Sequence, residues 1–492
     1  MISLNNVSFR YKHSNNGEIL RNINLEISKG ELVLICGKSG SGKTTIARLI
    51  NGLIPNYYDG DLEGEIFIDN KKINEMPLYE TGKIVGSVFQ NPRSQFFNVD
   101  TTSELSFGCE NQGWNVEKIK NNVLKSVNDM KISYLLNRNI FKLSGGEKQK
   151  IAFGSVYSCE PEVFVLDEPT SNLDTKTIEY LRNIIKILKE KGKTIVIAEH
   201  RLYFLREIVD RLIYIKDGEI NLELSSKELN NISNNEIRNM GLRPIDLNKF
   251  IMEENTKNYE KINKKEKLIL KNFIFSYNKN KKAINIPRLA IDKSSITAII
   301  GNNGSGKTTF ARCLSGLERS CKGIIVSEKN EYNRKKRLKH SYLVMQDVNN
   351  QLFTETVLDE VLLSTKNDDI LKSKKILEKF NILNLKDTHP ISLSGGQKQI
   401  VAIASAVASN KDIIIFDEPT SGLDLKNMEY VSKAIKELQS MNKTVFIISH
   451  DIELILECCN NVIELNKGKI VNNYPLDNNG KEKLVNFFLS KT

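Results

Sequence analysis

The chain has 492 residues, of which 40% are hydrophobic and 27% charged, with a formal net charge of +11. That length exceeds one typical domain and suits two. The composition excludes a disordered chain, and no run approaches the roughly 18 apolar residues of a membrane helix. The surplus of Lys and Arg is scattered, apart from "NRKKRLKH" at 333–340 and "KINKKEK" at 261–267, and so reads as a solvated lysine-rich surface.

In chain order, "MISLNNVSFRY" alternates like a strand and carries no basic-then-apolar leader, so a cytosolic protein is expected. Next, "ELVLICGKSGSGKTTIARLING" gives an apolar strand, a glycine loop and an amphipathic helix. That is the setting of the phosphate-binding pattern G-x-x-x-x-G-K-[ST]. Gly37, Lys38, Ser39, Gly40, Ser41, Gly42, Lys43, Thr44 and Thr45 would form the cradle, with backbone N–H groups aimed at phosphates from a helix N-terminus. Lys43 adds a point charge, and the Thr44 hydroxyl suits Mg²⁺. Gln90 follows "GSVF", where its amide can reach Mg²⁺ and water. A further glycine pair, Gly145 and Gly146, follows Ser144 in "LSGGEKQK".

The run "VFVLDEPT" then places Asp167 and Glu168 at the end of a buried strand. Phosphoryl transfer needs an oriented nucleophile more than covalent help. Asp167 therefore suits the Mg²⁺ shell and Glu168 suits polarising the attacking water. "KTIVIAEH" is a second such strand, ending in His200, which is read as a γ-phosphate contact. Residues 226–265 are rich in Asn, Lys and Glu and read as a partly ordered linker between domains at 1–225 and 266–492.

Beyond the linker everything recurs. "LILKNFIFSY" opens the second copy, and "SITAIIGNNGSGKTTFARCLSG" supplies Gly301, Asn302, Asn303, Gly304, Ser305, Gly306, Lys307, Thr308 and Thr309. Gln346, Ser394, Gly395, Gly396, Asp417, Glu418 and His450 repeat the remaining landmarks in the same order. From the LSGG run onward the spacing between copies is constant, which marks a tandem duplication. Thr308, Gln346 and Asp417 form the second candidate Mg²⁺ set. Tyr11 and Tyr277 precede their lysines at similar distances and could stack on adenine or belong to the core. The seven cysteines show neither C-x-x-C pairs nor zinc spacing, so reduced thiols are expected.

This ordered set, occurring twice, resembles the nucleotide-binding domain of ABC ATPases. The resemblance implies an α/β fold of two tandem P-loop NTPase domains. Each would have a mostly parallel sheet, an antiparallel β subdomain and a helical signature subdomain. ATP and Mg²⁺ are the implied ligands. It also implies head-to-tail pairing, with Ser394, Gly395 and Gly396 closing the site on Lys43, and Ser144, Gly145 and Gly146 closing the site on Lys307. Asp174 and Asp424 in "SNLD" and "SGLD" would serve cross-talk between the sites.

The segments "FQNPRSQFFNVDTTSELSFGCEN" and "MQDVNNQLFTETVLDEVLL" are similar to the ATPases of energy-coupling factor (ECF) importers. There, Gln95, Phe96, Gln351 and Leu352 would help form a groove for coupling helices. That resemblance implies a small transmembrane coupling subunit, a membrane solute-binding subunit, and a place on the cytoplasmic face of the membrane, with no nucleic-acid partner. Two rivals stay open. A ribosome-associated ABC-F-like ATPase usually carries "NHLD" and a long charged helical linker, and a fused sugar-importer ATPase often has one degraded phosphate loop.

Overall fold

The computed structural model describes residues 1–12, 19–171, 173–247, 249–250, 266–277, 282–327, 330–365 and 368–489. The chain divides into two compact units, Met1–Phe250 and Ile251–Thr492. In the first, a six-stranded sheet runs Glu219–Ser225, Arg211–Lys216, Leu32–Gly37, Thr194–Ala198, Val163–Asp167, Val85–Val88. All neighbours are parallel except the pair at the Glu219–Ser225 edge. The parallel strands are short apolar runs because both of their faces are covered.

Alternation shows how. Val33 and Ile35 join Val163, Val165 and Val196 in one cluster, with Ile2, Leu4 and Phe9 of a four-stranded antiparallel sheet. Leu32, Leu34, Phe164 and Leu166 point to the other face, toward Phe153 and Ile185. Side chains one residue apart on a strand thus build two different cores.

The second unit repeats this plan. Its six-stranded sheet runs Ser341–Val344, Ile413–Asp417, Thr444–Ile448, Ile296–Ile300, Asn461–Asn466, Lys469–Pro475, beside a four-stranded antiparallel sheet. A helical layer follows in each unit: Thr101–Asn111, Val116–Asp129 and Gly145–Ser158 in the first, Val357–Leu362, Ile370–Lys379 and Gly395–Ala408 in the second. All seven cysteines are free thiols.

One segment departs from the composition-based reading. Residues 226–247, expected to begin a linker, fold onto the first unit. Helices Ser226–Asn231 and Asn234–Asn239 each start with a capping box, Ser225 with Glu228 and Ser233 with Glu236. These boxes are the sequence signal that composition hid. Leu229, Ile237, Leu242 and Ile245 are buried in the core, and Tyr214 donates to the Met240 carbonyl at 2.6 Å. Asp246 pairs with Arg206. The "GLRPID" turn is anchored here too, since a Cβ on Gly241 would stand 2.6 Å from Cε of Lys38. Linker residues 248 and 251–265 lie outside the described residues.

Candidate nucleotide sites

Each fully buried strand, Leu32–Gly37 or Ile296–Ile300, delivers its chain directly into a glycine loop and a helix beginning at Lys43 or Lys307. Gly42 and Gly306 sit at φ 106° and 102°, a left-handed region that glycine enters without steric cost. At Gly37 a Cβ would come within 2.4 Å of the Ile215 carbonyl oxygen, and at Gly301 within 2.3 Å of that of Leu465. The glycines therefore let the loop lie against the next strand.

The Lys43 ammonium donates to the carbonyls of Gly37 at 3.0 Å and Lys38 at 2.9 Å. Lys307 does the same to Gly301 at 2.8 Å and Asn302 at 3.3 Å. Inside each loop one buried hydroxyl, Ser41 or Ser305, has no hydrogen-bond partner. Buried polar groups normally have one. An unsatisfied hydroxyl, an ammonium and helix N-terminal N–H groups in one cradle fit a polyphosphate. Thr45 is buried in the first helical turn, while Lys38 and Ser39 lie at the exposed rim of the loop.

The carboxylates meet the loops as the motifs require. Asp167 is the last residue of its strand, and the Thr44 hydroxyl donates to it at 3.1 Å. Burial, reinforced by the neighbouring Glu168 charge, pushes the Asp167 carboxyl up to about 6. Asp417 is raised likewise by burial, against the opposing hydrogen bond from Thr308. A divalent cation beside these groups would reverse that penalty. Hydroxyl and carboxylate oxygens are the hard donors Mg²⁺ takes, the remaining positions falling to phosphate and water. The ion would supply charge neutralisation on the phosphates.

Glu168 and Glu418 leave the strand axis altogether. Both adopt positive φ, 43° and 52°, a conformation costing about 1–2 kcal/mol for a residue with a Cβ. Backbone bonds hold it: Glu168 N–H to the Ala198 carbonyl at 2.8 Å, and Glu418 N–H to that of Ile448 at 2.9 Å. This kink lets adjacent carboxylates serve one site although successive strand residues point opposite ways. Gln90 Nε2 donates to Glu168 Oε2 at 2.7 Å, and His200 Nε2 lies 3.3 Å from Oε1. His450 Nε2 lies 3.5 Å from Glu418 Oε1. Gln346 occupies the matching place after strand Ser341–Val344.

The signature residues sit at helix starts. Ser144 caps Gly145–Ser158 with Glu147, and Ser394 caps Gly395–Ala408 with Gln397. A Cβ on Gly146 would stand 2.8 Å from Thr177 Oγ1, and one on Gly396 would meet Asn427, whereas Gly145 and Gly395 face open space. Asp174 and Asp424 cap the next helices by accepting from Thr177 N–H and Asn427 N–H. Tyr11 sits with its hydroxyl 3.3 Å from Thr45 Oγ1 and accepts from Arg48 at 2.9 Å. The Tyr277 hydroxyl is 3.0 Å from Thr309 Oγ1, and its ring is exposed. Both rings therefore stand beside the phosphate loops.

Of the expected groove residues, Gln95 lines a cleft, and both glutamines also bond to their own turns. Gln95 accepts from Phe89 N–H and donates to the Ser87 carbonyl, while Gln351 accepts from Met345 N–H and donates to Tyr342 and the Leu343 carbonyl. Phe96 packs against the core and Leu352 is buried. The exposed neighbour is Phe97, with 76% of its surface free, stacked on Phe107 at 5.0 Å. With Gly82, Gly86 and Gly108 it borders a cleft of about 270 Å³. The doubled aromatic in "QFF" was the available signal.

Known proteins share this arrangement. The family model described as ABC transporter matches residues 20–171 and 284–421. A Treponema denticola protein named "Putative ABC transporter ATP-binding protein" is 42% identical over 484 residues, covering 96% of each chain. A second from that organism, under the same name, is 39% identical and covers 99% of each. The solved structure of RNase-L Inhibitor superposes with a TM-score of 0.66 over 98% of this chain and 92% of that one, at 23% identity, a likeness of fold. With its two phosphate cradles and paired acidic strand ends, the chain belongs to the ABC transporter family, as a tandem ATPase with two ATP- and Mg²⁺-binding domains.

Proposed function

We propose that the chain is the ATP-hydrolysing subunit of an ECF-type importer, held at the cytoplasmic face of the membrane by a transmembrane coupling subunit and a solute-binding subunit. The observation carrying this reading is the cleft beside Phe97 and Phe107, a recess of mixed polar and apolar lining that includes Ser87, Gln95 and Val156. An exposed aromatic, Phe97, stacked on the half-buried Phe107 beside a recess suits an inserted helix of a partner. The name of the Treponema relatives supports a transport role.

In this reading Ser394, Gly395 and Gly396 cap the nucleotide on Lys43, and Ser144, Gly145 and Gly146 cap the one on Lys307. Glu168 and Glu418 orient the attacking water, and His200 and His450 hold those glutamates in place. Gln90, bonded to Glu168, links the cleft to the water-polarising group. A tagged chain pulled from native membranes in mild detergent should bring small integral membrane proteins with it. Recovery of ribosomes, with no membrane protein, would instead place the chain with ATPases that lack a membrane partner.

A further inference from the structure

The strand-end histidines, His200 and His450, whose segments form the switch loops, are held by carboxylates on opposite sides of them in sequence. The first half reads Glu199-His200-Arg201, and the second reads Ser449-His450-Asp451. In the first, Glu199 uses both oxygens. Oε2 accepts from the Thr170 hydroxyl at 2.6 Å and from Thr170 N–H at 3.2 Å, while Oε1 accepts from His200 N–H at 2.7 Å and Arg201 N–H at 3.1 Å. In the second, the matching Thr420 hydroxyl donates to Asp451 Oδ2 at 2.8 Å. Glu199 and Asp451 are each 3% exposed, and Thr170 and Thr420 each 1%. The same buried tether, from the Thr of "DEPT" to the switch loop, is thus made from residue positions two apart.

The permutation has local consequences. Asp451 also caps helix Ile452–Cys458 by accepting from Leu454 N–H. Arg201 stands at that place in the first half, and a guanidinium offers only donors, so it cannot cap. Residues 202–208 accordingly form successive turns, with Leu205 N–H bonding Leu202 and Ile208 N–H bonding Leu205. Arg201 is 8% exposed, and one of its guanidinium nitrogens, Nη1, is buried without a partner. The backbone N–H of the histidine is redirected as well. His450 N–H donates to Glu418 Oε2 at 3.1 Å, whereas His200 N–H is taken by Glu199 and the Glu168 Oε2 oxygen accepts from Gln90.

We propose that Glu199 is the positioning residue of the first half's hydrolytic site, doing for His200 and Glu168 what Asp451 does in the second half. It acts through other groups: it ties the Thr170 turn to the switch loop and fixes the histidine backbone. The proposal rests on ATP hydrolysis and is independent of any membrane partner.

Steady-state ATPase of the purified full chain tests it by exchange of the carboxylate. E199S should lower kcat by up to about twofold, because the second half keeps its own tether, with the KM for ATP changed by less than about twofold. Adding R201D rebuilds the Ser-His-Asp order of the second half, removes the buried unpartnered nitrogen, and should restore most of the lost kcat. Melting curves and ATP binding, measured alongside, separate loss of turnover from loss of fold. If E199S does not fold, the E199S/R201D chain should. Unchanged kcat in E199S, or an exchange chain no better than E199S in turnover or folding, overturns the proposal.

Discussion

In the first half, Gly86 on strand Val85–Val88 and Gly108 on helix Thr101–Asn111 leave a recess open toward Phe97 and Phe107. In the second half Tyr342 and Ser364 stand at those places, and Leu363 replaces Phe107. The equivalence is anchored by Glu104 and Glu360, which accept from the N–H groups of Phe97 and Phe353 at 3.1 Å and 3.0 Å. The Tyr342 phenol accepts from Gln351 at 3.2 Å and is bonded to Ser364, and burial raises it above its ordinary range. A side chain thus fills what two glycines leave open, while the nucleotide cradles stay alike. Phosphate chemistry demands the same donors in both halves, but the proposed docking does not, so the two outer faces are free to diverge.

The sharpest way to probe what the halves share is Glu168→Gln with Glu418→Gln. Turnover should fall at least about 100-fold with ATP binding retained. Turnover near that of the unaltered chain would remove both glutamates from the hydrolytic role. What distinguishes the halves is tested by Phe97→Ala against Phe353→Ala. Recovery of membrane partners should drop about tenfold or more for Phe97 and much less for Phe353, since an aromatic anchor acts only where a recess accepts its neighbour. Equal losses would mean that Tyr342 does not close the second face.

Acid should act on the first half through Asp167. Its carboxyl, raised to about 6 by burial and Glu168, is protonated below that pH, and Mg²⁺ needs the ionised form. Mg²⁺-dependent nucleotide affinity at that site should therefore be present above about pH 6 and weaken as pH falls through it, by up to about tenfold per unit. Asp167→Asn should flatten the profile while lowering affinity throughout. The smallest effect belongs to Gln95→Ala. Because its amide closes the chain's own turn, the loss should be about 1–2 kcal/mol of stability, read in a melting curve. Hydrolysis and partner docking should then decline together. Selective loss of docking alone would mean that Gln95 acts through the cleft it lines rather than through the turn it closes.

Much of this protein is local and was legible in sequence. The strand–loop–helix order of each phosphate cradle, the acidic pair at each strand end and the tandem repeat are all set by neighbours in the chain, where burial period and glycine freedom act over a few residues. The capping boxes at Ser225 and Ser233 were equally local, but an Asn- and Lys-rich composition concealed them, and only the core positions of Leu229 and Ile237 reveal that the segment folds.

Tertiary structure decided the rest. That Gln95 closes its own turn at the cleft depends on where the Ser87 carbonyl and Phe89 N–H lie. Whether a cleft exists depends on Gly86, Gly108 and Cys159 meeting from three separate stretches. That Glu199 and Asp451 perform one task became visible only when Thr170 and Thr420 were found against them. Motifs fix which groups are carried to a site. A hydrogen bond between groups some 30 residues apart exists only if the packed backbone brings donor and acceptor within reach, and no local pattern encodes that distance.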